Sequence, residues 1–92
     1  MELDLNTIRE EIDTINKEML SLFERRMELS ALVAAYKLEH GMEVFVPARE
    51  VQIMENVRQS SRPEFAAHNL ALFNAILRES RAYQQKLINE NK

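Results

Sequence analysis

From about Asp4 to His40 the chain runs without a glycine or proline and carries an apolar repeat of helical period. Steps of four and three from Ile8 reach Ile12, Ile15, Met19, Leu22, Arg26, Leu29, Val33 and Tyr36. A second stripe runs through Leu5, Ile12, Leu20, Phe23, Met27 and Ala34. Asp4 to Asn6 offers capping side chains at the start, and Gly41 supplies the stop. A helix of roughly 35 residues is about 50 Å long at 1.5 Å per residue. A compact globule of 92 residues is only about 30 Å across. Such a helix cannot be covered by its own chain, and two apolar stripes are too much to leave bare. An intertwined homodimer with the long helices packed on each other is the expected solution.

The remainder also reads as helix. "MEVFVPARE" is a short connection that opens a second helix at Pro47 or Ala48, running to about Gln59. "SSRPEF" is a loop and helix start, with Ser61 and Glu64 at capping-box spacing and Pro63 in the first turn. The third helix should reach about Asn89, with Leu70, Phe73, Leu77, Ser80, Gln84 and Leu87 on one stripe. One glycine and two prolines leave few turns, so the fold class is all-α: a single domain over 1–92, three helices, the first very long.

Several functional classes are disfavoured by composition. The absence of cysteine removes disulfides, thiolate nucleophiles and thiolate metal sites. A formal net charge of -3 is unsuited to a broad nucleic-acid footprint. "MELDLNTIREE" has neither the basic start nor the apolar run of a signal peptide, and no stretch approaches a membrane span. A soluble, cytoplasmic protein without membrane or nucleic-acid partners is expected, and any anion site must be local.

The informative residues are polar ones on faces that a helix normally buries. Val33 and Lys37 each point within about 20° of Arg26, the two cations about 16 Å apart along the axis. Buried cations need partners, either carboxylates of this protein such as Glu24, Glu28 or Asp13, or an anionic ligand. Ser80 and Gln84, four apart, share a face of the third helix. Together with the apolar Val33 and Leu77, these side chains would form a pocket for a small carboxylated molecule. Arg9 lies about 25 Å before Arg26 and is rotated by roughly 100°, so it can serve that pocket only from a partner chain. Arg49 and Glu50 open the second helix, where Glu50 suits the N-terminus and Arg49 can pair with it. His40 and His68 read as surface residues. The pattern contains no acid–base dyad, activated nucleophile or metal cluster.

Four fragments, "LNTIREEIDTIN", "LFERRMELSALVAAYK", "PARE" and "SRAYQQ", in this order and spacing, resemble the all-α (AroQ-type) chorismate mutases over almost the whole chain. The resemblance implies an intertwined dimer of three-helix chains and the cofactor-free rearrangement of chorismate to prephenate in phenylalanine and tyrosine synthesis. By the same resemblance, Arg26 and the partner's Arg9 hold the substrate carboxylates, while Lys37 and Gln84 contact the ether oxygen. Glu50 contacts the ring hydroxyl with Arg49 beside it, Ser80 lies near a carboxylate, and Val33 and Leu77 form apolar walls. Val46 stands where several family members carry an aspartate near the substrate hydroxyl. Two other readings remain on this scaffold: an isochorismate-pyruvate lyase, and a non-catalytic helical dimer or effector-binding module whose cations are tied up in ion pairs.

Overall fold

The computed structural model describes residues 3–92. Helix α1 spans Leu5–His40, α2 Pro47–Ser60 and α3 Ala66–Glu90, with one 3-10 turn, Pro63–Phe65, before α3. These are the expected three helices, and the described residues contain no strand. The long axis is 58 Å against 26 and 14 Å, and the radius of gyration is 16.9 Å, where a compact chain of this length would have about 12 Å.

Local chemistry sets both ends of α1. Asp4 accepts from the Asn6 backbone N–H at 3.1 Å and from the Thr7 hydroxyl at 2.8 Å, satisfying an orphan donor of the first turn. Those two hydrogen bonds, Thr7 first, hold the Asp4 carboxyl below its ordinary range. At the other end Gly41 adopts φ 63°, ψ 34°, the left-handed conformation glycine takes without a Cβ penalty. The N–H of Met42 donates to Lys37 O at 2.8 Å and that of Gly41 to Leu38 O at 3.5 Å, a Schellman closure. This turns the chain back beside the last turn of α1, bringing residue 44 next to Lys37.

Pro47, with its preset φ, starts α2. The expected capping box at Ser61 and Glu64 does not form. Ser61 instead donates to Val57 O at 2.6 Å and accepts from Asn69 Nδ2 at 2.9 Å, closing α2 and tying it to α3. With Ser61 so engaged, the 3-10 turn leads into α3, whose first residue follows Phe65 without a side-chain cap.

Helix α3 packs against both other helices. Glu50 with Arg81 and Ser61 with Asn69 make α2 and α3 an antiparallel hairpin. Ser30 with Ser80 and Lys37 with Gln84 make α3 parallel to the second half of α1. The buried apolar residues are Ala34, Leu77 and Ile88, and the buried polar ones are Ser30, Lys37, Ser80 and Gln84. The centre of the fold is thus as much a polar network as an apolar core. Residues 3–22 are all exposed, Leu20 at 63% and Leu22 at 71%.

Candidate active site

A cavity of about 500 Å³ lies between the second half of α1, the connection through residues 42–46, the first turn of α2, and α3. Arg26, Val33, Lys37, Val46, Arg49, Glu50, Leu77, Ser80 and Gln84 all line it. They come from all three helices and one connection, so nine of the ten residues singled out in the sequence meet in one place. Arg9 does not; it is exposed on the bare half of α1.

The centre of the site is a hydrogen-bonded chain. Lys37 Nζ donates to Val44 O at 2.7 Å and to Gln84 Oε1 at 3.0 Å. Gln84 Nε2 donates to Ser80 Oγ at 3.0 Å, and the Ser80 and Ser30 hydroxyls share a bond of 2.9 Å. An ammonium has three N–H donors and a primary amide two, so each keeps one for a ligand. Every polar side-chain atom buried among the described residues has a partner, as low-dielectric surroundings require. Burial lowers the Lys37 pKa from its ordinary value, and the Glu50 carboxylate partly opposes that shift.

Four cations, Arg26, Lys37, Arg49 and Arg81, and one carboxylate, Glu50, border the cavity. Arg26 is half-buried and, among the described residues, has no carboxylate within ion-pair distance. Glu28, one of its candidate partners, pairs with Arg25 at 3.3 Å. Arg49 does not pair with Glu50 but donates to Gln52 at 2.6 Å, while Glu50 pairs with Arg81 across the hairpin. Val46 contributes its backbone: its carbonyl accepts from the N–H groups of Arg49 and Glu50 at 3.1 and 3.2 Å. An excess of positive charge around apolar walls is chemically suited to a small polyanion.

Ser30, Arg81 and the Val44 carbonyl escaped the sequence reading. Ser30 had a usable signal, lying between Met27 and Ala34 on the second α1 stripe at helical spacing. Arg81 and Val44 had none, since their partners lie across the hairpin and across a turn. His40 is exposed, stacked on Tyr36 with its Nδ1 2.8 Å from Tyr36 O, and His68 is exposed.

The family model for chorismate mutase type II matches residues 8–85, and thus every element that builds this cavity. The chain belongs to the type II chorismate mutases. The T-protein of Haemophilus influenzae is 32% identical over 87 residues, which cover 95% of this chain and 22% of that protein. The T-protein of Enterobacter agglomerans is 33% identical over 61 residues, covering 66% and 16%. An intracellular chorismate mutase of Mycobacterium bovis is 35% identical over 52 residues, covering 56% of this chain and 50% of its own length. The chain therefore spans half or less of each of these three relatives. No solved structure gives a significant match. Within the chorismate mutase family match, both Lys37 and Gln84 fall inside the matched span. No helix among the described residues is long and apolar enough to cross a membrane.

Proposed function

We propose that this chain is a chorismate mutase, converting chorismate to prephenate in the cytoplasm as a homodimer. The observation that carries the reading is the Lys37–Gln84 pair, hydrogen-bonded at 3.0 Å in a cavity bordered by four cations. In this rearrangement a carbon–oxygen ether bond breaks while a carbon–carbon bond forms within the same molecule. No atom or proton is exchanged, so the protein has to select the folded conformer and stabilise charge growing on the ether oxygen.

Each side chain has a physical task in that scheme. Arg26, unpaired within the described chain, takes a substrate carboxylate. The spare N–H groups of Lys37 and Gln84 converge on the ether oxygen. Val44 O, Ser80 and Ser30 hold those two donors in place before substrate arrives, so little reorganisation accompanies bond breaking. Glu50 accepts from the ring hydroxyl, with Arg49 beside it, while Val33 and Leu77 provide apolar walls. At Val46, where other members carry an aspartate near the substrate hydroxyl, the side chain adds apolar wall, and the backbone carbonyl is engaged in the first bonds of the helix that carries Glu50.

The dimer is supported by what a single chain leaves undone. Leu29 and Val33 line the cavity yet remain exposed, at 44% and 45%, so one wall is incomplete. The bare half of α1 offers Ile8, Ile12, Ile15 and Met19 as a continuous apolar seam, and Arg9 stands beside it. A second α1 laid on this seam would cover it and bring the partner's Arg9 to the open side of the cavity as the second carboxylate receptor.

Incubation with chorismate tests the reading, prephenate being identified by acid conversion to phenylpyruvate. Wild type is expected to form prephenate. Lys37→Ala is expected to stay folded and lose turnover by a hundred- to roughly a thousandfold, the size of a lost transition-state donor. Full activity of Lys37→Ala would remove its electrostatic role; no turnover by wild type would refute the mutase, and turnover of isochorismate would establish the lyase instead.

A further inference from the structure

Arg81 leaves α3 immediately after Ser80, and the substrate scheme above assigns it no task. Its Nη1 donates to Glu50 Oε1. Its Cζ lies 5.3 Å from the centroid of the Phe45 ring, a cation–π distance. Phe45 adjoins Val44, whose carbonyl holds Lys37 Nζ at 2.7 Å. One guanidinium from α3 therefore grips both the connection that anchors Lys37 and the helix start that carries Glu50.

The pair is partly shielded, with side-chain exposures of 35% for Arg81 and 21% for Glu50. A planar guanidinium that stacks on a ring while donating from its edge restrains both partners in a way a flexible ammonium does not. Arg81 is committed to the Glu50 carboxylate and to the Phe45 ring, whereas Arg26 has neither kind of partner among the described residues. With Oε1 engaged by Arg81, Oε2 of Glu50 is the oxygen left to accept from a ligand hydroxyl.

We propose that Arg81 is a positioning residue that acts through Glu50, orienting its carboxylate toward the bound substrate, with the Phe45 ring holding the guanidinium in that aim. This rests on the chorismate mutase reading of the cavity. The test compares kcat/KM for chorismate, with melting temperature beside it, in wild type, Arg81→Met, Glu50→Ala and the double variant.

Arg81→Met is expected to lower kcat/KM about tenfold, as for one charge-assisted hydrogen bond. In the Glu50→Ala background the same change should cost less than about twofold, since residues acting through one link are not additive. An equal loss in both backgrounds overturns the proposal in favour of direct substrate binding or a purely structural role, and so does no loss at all. Arg81→Lys, which keeps a cation for Glu50 and loses the planar guanidinium, should lose about threefold in the wild-type background only. It carries the same test if Arg81→Met fails to fold, and equal loss in both backgrounds again overturns the proposal. Wild type inactive on chorismate would refute the underlying reading and the inference together; wild type active with additive losses refutes only the inference.

Discussion

Residues 5–22 and 23–40 belong to one helix and share one repeat, yet they meet opposite fates. The first half carries Ile8, Ile12, Ile15, Met19 and Leu22 without a polar interruption, and all of it is exposed. The second half interrupts the repeat with Arg26, Ser30 and Lys37, and it buries Ser30, Ala34 and Lys37 against α3. Period and propensity make a helix in both places; only a facing surface makes a core. The polar interruptions coincide with the cavity, and the uninterrupted seam coincides with surface that the described residues leave uncovered.

If the seam belongs to a second copy, the two halves are coupled through the cavity, and mixing variants probes that coupling. Arg9→Ala and Arg26→Ala, each in the opposite half, should separately lose at least about thirtyfold in kcat/KM, as when one partner of a desolvated charge pair is truncated. Mixed and allowed to exchange subunits, they should recover roughly a quarter of wild-type sites, because each heterodimer rebuilds one complete site. Verified heterodimers without recovery would break the shared site.

The seam itself can be attacked directly. Ile15→Glu places a charge where the apolar contact is expected and should weaken association by about a hundredfold, read by sedimentation equilibrium, while the helical circular dichroism of the α1–α3 region persists. A change with no effect on assembly would make residues 5–22 a free arm. The corresponding measurement in the second half concerns charge. Lys37 has a lowered pKa, so the folded chain binds fewer protons there than the unfolded one between the lowered and the ordinary lysine values. Ligand-free stability should rise with pH across that window, while kcat/KM, which needs the ammonium, should fall across it. Gln84→Glu should move the optimum downward, since only the protonated acid can donate to the ether oxygen. Profiles coinciding with wild type would place Gln84 outside the chemistry.

The smallest effect is expected where the two halves' common helix ends. Gly41→Ala meets nothing within 4 Å of the added Cβ, so only the left-handed backbone is penalised, by about 1 kcal/mol. The melting temperature should drop by several degrees with kcat nearly unchanged. A large loss of kcat would mean that the Schellman turn is needed to hold Val44 O on Lys37.

The helices were readable because their signals are local. Asp4 with Thr7, Gly41 before Met42, and Pro47 act within a few residues of themselves, and the boundaries of α1 and α2 fall where they dictate. The capping box at Ser61 failed for the complementary reason: Asn69 and Val57 O engaged the hydroxyl, and the Asn69 contact depends on the angle between α2 and α3. The cavity was half legible. Arg26, Lys37, Ser80 and Gln84 stood out because charge and amide on an apolar stripe violate helical patterning, whereas Arg81 sits at an unremarkable position beside Ser80.

The sequence alone determined three helices, a first helix too long for its own globule, and the placing of Lys37, Ser80 and Gln84 on buried faces, because caps, prolines and the 3.6-residue period operate over one or two turns. Tertiary structure decided that Lys37 meets Gln84 and Val44 O, that Ser30 meets Ser80, and that Glu50 is held by Arg81 rather than Arg49. Three of these contacts join residues 31 to 50 positions apart, and such pairings follow from how two turns aim three helices.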